Sequence, residues 1–159
     1  MNGASVVADS LAWRWFGFGG WPPALLYEAL RLRSAVFVVE QNCVFADMDG
    51  LDPDCEHLCG VAADGSLLAY ARLLPPGLKY AEASIGRVVT AGAVRRTGLG
   101  RQLMRQALDG CRARYPGQPV RIGAQQRLER FYADFGFAVA GPPYLEDGIW
   151  HVEMVAPAG

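Results

Sequence analysis

The chain has 159 residues, of which 52% are hydrophobic and 19% are charged, and its formal net charge is −1. This length and composition are typical of one globular domain with a sizeable core rather than of a disordered chain. A net charge near zero argues against bulk nucleic-acid binding, and no apolar run approaches the roughly 18 residues that a membrane span needs. We therefore expect a single domain over residues 1–159, with no nucleic-acid partner and no membrane partner.

The first seventeen residues carry no basic start followed by an uninterrupted apolar core, so they do not predict a secretory signal and a cytoplasmic location is expected. Large side chains then alternate as in a strand, and a pair of prolines opens a stretch with apolar residues on one helical face. An Asp64–Gly65 turn joins two apolar runs and predicts a hairpin. Strands are predicted at 11–18, 57–63, 67–74 and 84–90, and a helix from Pro22 to about Val38.

An acidic segment follows this first helix. Residues 40–56 contain six carboxylates and no lysine or arginine. Such a segment attracts a cationic ligand when it lines a cleft, or it is simply a solvated surface. At its end Cys55, His57 and Cys59 alternate, either as part of a metal site or as a strand start with small thiols facing the core. The second interpretation is favoured, because zinc sites need four ligands and use wider spacing, and all four cysteines are expected to be reduced.

The second half of the chain predicts two more helices and three more strands. Apolar residues recur at helical spacing from about residue 98 to residue 115, where Pro116 and Gly117 end the pattern. The order of elements predicts an α/β (α+β) fold, in which helices pack on a mixed sheet. The remaining predicted elements are strands at 120–124, 135–141 and 149–156 and a helix at 126–135.

The hexapeptide RRTGLG, residues 95–100, lies between a predicted strand and the second helix. Seven arginines and one carboxylate occur between residues 95 and 121, and a helix start with glycines suits an anionic ligand. A Walker loop needs Lys and then Ser or Thr after its last glycine, and a Rossmann loop needs a third small residue where Leu103 stands. Both patterns fail, so the hexapeptide alone remains either a plain helix start or an anion site.

The spacing Arg95-x-x-Gly98-x-Gly100 directly after a strand resembles the acetyl-CoA loop of the GNAT N-acetyltransferase superfamily. A Tyr-x-x-x-Gly-Phe element beginning at Tyr132 also fits that pattern. Three longer stretches are similar to the ElaA-type branch of the superfamily, so the resemblance covers roughly residues 25–155. These stretches are LRLRSAVFVVEQNCVFADMDGLD, IGRVVT and YLEDGIWHVEM.

The resemblance implies a GNAT-like mixed, mostly antiparallel central sheet of six to seven strands with about four helices. It implies acetyl-CoA as co-substrate and no metal. The strand before the loop would pair with the pantetheine arm, backbone N–H groups of the loop would hold the pyrophosphate, and Gln125 stands where many members have Asn. The implied cofactor positions are Val88, Val89, Thr90, Arg95, Arg96, Thr97, Gly98, Leu99, Gly100, Arg101 and Gln125.

The implied reaction is direct acetyl transfer to an amine in a ternary complex, with Tyr132 as the general acid for the departing thiolate. An amine with a pKa near 10.4 is mostly protonated at neutral pH, so a base has to remove a proton. The candidates for this base are Glu40 and His151; with Glu146 they belong to the stretches that resemble the ElaA type and are expected to line the acceptor side. Ser84 stands where some members carry a carboxylate; Glu82 and Glu146 are further carboxylates, and Arg87 is expected to share a face with Val89.

The expected acceptor is a small-molecule or peptide amine, and the acidic segment favours a cationic one. We expect a monomer or a homodimer. The missing carboxylate at Ser84 leaves room for an alternative, a non-catalytic acyl-CoA sensor or interaction module on the same fold. A third interpretation is acyl transfer from a carrier protein, because residues 30–37 resemble a region of homoserine-lactone synthases. The arginines of the hexapeptide at residues 95–100 favour free CoA as the donor instead.

Overall fold

The computed structural model describes residues 10–159. Within this range eight strands form two antiparallel four-stranded sheets. The first sheet contains β1 (Ala12–Gly17), β2 (Glu56–Val61), β3 (Leu67–Leu74) and β4 (Ser84–Thr90) in that order. The second contains β5 (Val120–Gln125), β6 (Ala138–Val139), β7 (Tyr144–Glu146) and β8 (Ile149–Ala156), and β8 pairs with the other three.

Three α-helices pack around the sheets in the described part of the chain: α1 (Pro23–Arg33), α2 (Leu99–Arg114) and α3 (Glu129–Ala133). Helix α1 continues as a π-helical segment, Ser34–Glu40. Helix α2 buries an apolar stripe at helical spacing against both sheets, which explains its length and position. Gly110 lies on this helix against the Trp15 ring, where a Cβ would overlap the aromatic atoms.

The two sheets meet where β4 and β5 begin. Ala83 and Val120 form a parallel bridge, and the N–H of Arg121 donates to the carbonyl of Ala83 at 3.0 Å. Beyond this point the described residues show no ladder between the two strands, so they diverge. The edge of β4 that faces β5 is therefore open over Val88, Val89 and Thr90.

Strand β4 carries a bulge. Gly86 pairs with Arg72 and Val89 pairs with Tyr70, so two residues of β4 stand opposite one residue of β3. One of the two is Arg87, whose φ of 51° lies in the left-handed region. The sequence analysis expected Arg87 and Val89 to share a face of a regular strand. The strand is not regular here, because the bulge lies between these two residues.

The predicted fold class is confirmed, and most elements lie where the sequence placed them. The counts within residues 10–159 differ from the prediction: there are eight strands in two sheets where six to seven in one sheet were expected, and three α-helices where about four were expected. The strand predicted at 135–141 contracts to Ala138–Val139, and Tyr144–Glu146 forms a strand where a loop was expected. The predicted absence of a secretory signal rests partly on residues 1–9, which lie outside the described range; none of the described helices is long and apolar enough to cross a membrane.

Candidate active site

A cleft of about 1140 Å³ opens where β4 and β5 diverge. The π-helical segment and the residues after it cover one side, and the β7–β8 hairpin covers another. This cleft brings together most of the residues that the sequence singled out. The predicted residues that line it are Glu40, Ser84, Arg87, Val88, Val89, Thr90, Arg95, Gly100, Gln125, Tyr132, Glu146 and His151. The other loop positions, Arg96, Thr97, Gly98, Leu99 and Arg101, are not part of its lining.

The loop before α2 presents unpaired backbone amides. Arg96 and Gly98 both have positive φ, 63° and 85°, and this conformation is uncommon for a non-glycine residue such as Arg96. Left-handed residues in such a turn build concave anion sites from successive N–H groups. The N–H groups of Leu99, Gly100 and Arg101 have no hydrogen-bond partner among residues 10–159. Together with the dipole of α2, they make this loop suited to a phosphate.

The loop also leaves room for a ligand at Gly100. A Cβ built there meets nothing within 4 Å, and the Thr97 hydroxyl anchors the turn by donating to the carbonyl of Val94 at 2.6 Å. Two of the loop arginines already have carboxylate partners. Arg95 forms a bidentate ion pair with Glu40, and Arg101 binds Asp134 at 2.9 Å. In the described structure the amides, rather than these two side chains, are therefore the free donors.

The Arg95 guanidinium holds the pKa of the Glu40 carboxyl below its ordinary value, mainly through their hydrogen bonds. A general base works best when its pKa lies near the operating pH, and this shift is in the opposite direction. Glu82, the other carboxylate near the start of β4, is likewise paired, with Arg121 at 2.5 Å. Neither carboxylate stands free as a proton acceptor.

Tyr132 lies on α3 with only 8% of its surface exposed, and its ring packs edge-on against Phe131 and Phe137. Burial raises the pKa of its phenol to about 12, and the positive charge of Arg127 opposes this rise. The hydroxyl has no hydrogen-bond partner among the described residues. A protonated phenol with a free hydroxyl at the cleft wall is able to donate a proton to a ligand atom.

His151 lies on β8 opposite Gln125 of β5. Its Nδ1 is 2.8 Å from the carbonyl oxygen of Ile149 and its Nε2 is 3.6 Å from Oε2 of Glu146. A carbonyl oxygen only accepts hydrogen bonds, so Nδ1 carries the proton and the neutral ring has its lone pair on Nε2. The Tyr144 ring stacks on the imidazole with 5.8 Å between centroids, which fixes the ring further.

Gln125 connects two sides of the cleft. Its Oε1 accepts a hydrogen bond from Arg127 Nε at 3.0 Å, and its Nε2 donates to Gln41 Oε1 at 3.1 Å. Arg127 and Gln41 were missed in the sequence analysis, where their position beside Gln125 and Glu40 was the available signal. They close the cleft near the end of β5.

The acidic segment is largely neutralised, which removes the charge argument for a cationic acceptor. Its three central aspartates bind three arginines from distant parts of the chain. Burial alone would raise the pKa of the Asp49 carboxyl, but the hydrogen bonds from Arg72 outweigh this effect and hold that pKa well below its ordinary value. Of the six carboxylates, only Asp54 has no ion pair within residues 10–159. The central network consists of Arg33 with Asp47 and Asp52, Arg72 with Asp49 and Asp52, and Arg87 with Asp47 and Asp49.

His57 is part of the core and not of the cleft. It is fully buried, its Nδ1 lies 2.7 Å from the Tyr70 hydroxyl, and its Nε2 lies 3.0 Å from the carbonyl oxygen of Asp52. The neighbouring Cys55 and Cys59 are buried free thiols. In the described residues no group of three or more His, Cys, Asp or Glu side chains is arranged to hold a metal.

Comparison with known proteins gives a consistent result. Residues 39–157 match the model of the acetyltransferase (GNAT) domain. Protein ElaA of Escherichia coli is 45% identical over 131 residues, which cover 81% of this chain and 85% of that protein. The crystal structure of E. coli ElaA superposes with a TM-score of 0.85 at 40% identity, covering 92% and 99% of the two chains. An acyl-CoA N-acyltransferase from Pseudomonas aeruginosa gives a TM-score of 0.87 at 42% identity, with the same coverage.

Proposed function

The chain belongs to the GNAT acetyltransferase family and is an acyl-CoA-dependent N-acetyltransferase, and we propose that it transfers acetyl directly from acetyl-CoA to an amine in a ternary complex. The observation that supports this proposal is the convergence of three features on one cleft. The loop before α2 offers the free amide of Gly100 at the cleft wall, β4 offers an open edge, and Tyr132 offers a free phenol.

The residues fit acetyl-CoA in a simple order. Amides of Leu99, Gly100 and Arg101 would hold the pyrophosphate, and the open edge over Val88, Val89 and Thr90 would pair with the amides of the pantetheine arm. Gln125 reaches the same space from the end of β5. Acetyl-CoA supplies an activated thioester; the protein supplies position, proton transfer and exclusion of water.

Tyr132 gives its proton to the departing sulfur in this mechanism. Burial keeps the phenol protonated, since its pKa of about 12 lies far above neutral pH. The same shift makes the phenol a weaker acid than a free tyrosine. The Arg127 charge, which acts on Tyr132, offsets part of this cost. No covalent enzyme intermediate is needed.

We assign the general base to His151 rather than to Glu40. The Ile149 carbonyl fixes Nδ1 as a donor, so Nε2 is available to accept a proton from the amine. Glu40 instead binds Arg95 and so connects the π-helical segment to the loop before α2. Its proposed contribution is to the shape of the cleft near the cofactor.

Calorimetry with acetyl-CoA tests the cofactor site. We expect micromolar binding, and Gly100→Glu should abolish it, because the new side chain places bulk and negative charge among the free amides. Gln118→Glu, exposed beyond the other end of α2, is the matched control and should bind normally. Absence of heat and of a thermal shift with the wild-type protein would overturn the proposal.

The alternative of a non-catalytic acyl-CoA sensor keeps one supporting observation. Ser84, at the position where some family members carry a carboxylate, is buried with 3% exposure. A thiol-release assay with acetyl-CoA and a panel of amines separates the two functions. Acceptor-dependent release supports the enzyme, whereas binding with only slow hydrolysis supports the sensor.

A further inference from the structure

Glu146 and His151 face each other on the β7–β8 hairpin at the wall of the cleft. Glu146 pairs with Ile149 in the ladder, and Tyr144 pairs with His151, so the carboxylate and the imidazole lie on the same face. The distance from Nε2 to Oε2 is 3.6 Å, longer than an ordinary hydrogen bond. With Nδ1 donating to the Ile149 carbonyl, the neutral form of the ring has its lone pair on Nε2, so in that form Nε2 and the Glu146 carboxylate are two acceptors facing one another.

Two facing acceptors are stabilised when a group with N–H donors lies between them. We propose that Glu146 and His151 together form the site that receives the acceptor's ammonium group, with one N–H directed to each residue. This proposal rests on the proposed function and adds to it the two residues that bind the ammonium group of the acceptor. Glu146 binds and positions the nitrogen, and His151 takes its proton.

The geometry requires only a small adjustment. A tetrahedral nitrogen that donates to both acceptors at ordinary hydrogen-bond length sets them about 4.7 Å apart. The Glu146 side chain is 49% exposed, whereas His151 is held by its carbonyl bond and by the Tyr144 ring. Glu146 is therefore the partner that moves outward, by about 1 Å.

The surrounding contacts keep this wall in place. The hydroxyls of Tyr80 and Tyr144 both lie over Gly123 of β5, where a Cβ would approach them to 3.0 and 2.9 Å. On the hairpin turn, the carbonyl of Asp147 accepts a hydrogen bond from Cys43 Sγ at 3.2 Å. The hairpin is thus tied to β5 and to the segment after α1, and both ties border the cleft.

Unlike the aspartates of the acidic segment, Glu146 has no arginine or lysine ion-pair partner within residues 10–159. Among the described residues, its one neighbour at ion-pair distance is His151, whose neutral ring offers an acceptor and no charge. A carboxylate left in this state remains available to an incoming cation. This is why a local ammonium site exists although the acidic segment itself is neutralised.

The proton and electron balance is complete. His151 Nε2 takes one proton from the ammonium, and the free amine nitrogen forms a bond to the acetyl carbon. The carbon–sulfur bond breaks with its electron pair on sulfur, and Tyr132 supplies the proton of the new thiol. The second proton that leaves the nitrogen restores the Tyr132 phenol, and the proton on His151 passes to solvent.

Methylammonium is the probe for this site, because it is the smallest primary ammonium ion, and tetramethylammonium is a cation without N–H groups. The chain has two histidines, so imidazole nitrogen NMR signals are readily assigned with His57→Gln. We expect methylammonium to shift the Nε2 signal of His151 saturably and tetramethylammonium to shift it little. Equal responses to both ions would overturn the proposal.

Glu146→Gln should weaken the methylammonium response by at least about tenfold, since a charged acceptor is lost. Glu153→Gln on the same face of β8 is the matched control and should change the response less than about twofold. An unaltered response in Glu146→Gln would remove the assignment. Acetyl-CoA calorimetry on the same samples separates the two proposals, because failure of cofactor binding contradicts the proposed function and leaves the ammonium result standing.

Discussion

Glu40 and Arg95 form a bidentate ion pair that joins the end of the π-helical segment to the loop before α2. The pair spans 55 positions of sequence and lines the same cleft as Gly100, one of the residues whose amides are proposed to bind pyrophosphate. The Glu40 carboxylate is therefore bound to the Arg95 guanidinium, which the sequence analysis assigned to cofactor binding. Cofactor binding has to proceed with this pair intact or has to exchange the carboxylate for a phosphate.

Glu40→Gln tests whether Glu40 is the general base or only the ion-pair partner of Arg95. If Glu40 only pairs with Arg95, the variant frees that arginine for phosphate, so acetyl-CoA should bind with equal or up to about threefold higher affinity. Turnover should fall less than about threefold, whereas loss of the general base costs at least about a hundredfold. Calorimetry and steady-state kinetics measure both, and Glu28→Gln on the exposed face of α1 is the control. A hundredfold loss of kcat at unchanged affinity would return the base to Glu40.

Tyr132→Phe tests the proton donor. The substitution keeps the buried ring and its contacts with Phe131 and Phe137 but removes the hydroxyl. We expect kcat to fall by about a hundredfold or more, with the dissociation constant of acetyl-CoA unchanged within about twofold. Tyr27→Phe, at an exposed position of α1, should have no effect. If kcat does not change, water rather than Tyr132 protonates the thiolate.

Local periodicity was sufficient to predict the elements that carry the site. The bounds of β3, β4 and β8 agree with the predicted strands, and α2 differs from its prediction by one residue at each end. These elements have strong alternation or a continuous apolar stripe, so each one is specified by its own residues. The loop before α2 was predicted from the sequence for the same reason, since the strand, the glycines and the helix follow one another directly along the chain.

Pairings between distant segments could not be predicted in this way. Strand β7 has three residues, and it exists because they pair with β8. The acidic segment was read as a free negative surface because its arginine partners come from α1, β3 and the bulge of β4. The position of Arg87 depends on that bulge, which shifts its register relative to Val89.

Arg33→Met tests whether the buried ion network supports the fold. Arg33 is fully buried and binds Asp47 at 2.9 Å and Asp52 at 2.8 Å. Removing it leaves two buried carboxylates short of a partner, so the free energy of unfolding should fall by about 3–5 kcal/mol. Arg31→Met, which breaks an exposed pair two positions earlier on α1, should cost less than about 1 kcal/mol. Denaturant titration measures both, and equal losses would contradict a structural role for the network.

The pH dependence of stability should report on His57. Because Nε2 donates to the Asp52 carbonyl, Nδ1 has to accept from the Tyr70 hydroxyl, and a second ring proton would break that bond. Burial lowers the pKa of His57 to about 4. The unfolded chain binds this proton below about pH 6.5 and the folded protein does not until about pH 4, so acidification in this window favours unfolding.

The expected loss in free energy of unfolding is about 3 kcal/mol between pH 6.5 and pH 4, of which the part above pH 4.5 precedes most carboxylate titration. His57→Gln retains a donor and an acceptor but does not titrate, so its stability should be nearly flat from pH 6.5 to pH 4.5. The variant is expected to be less stable than the wild type at pH 7, since its packing against Trp21 is poorer. Urea titrations at several pH values give both slopes, with His151→Gln as the comparison at the other histidine. A wild-type slope that persists in His57→Gln would assign the acid sensitivity to other groups.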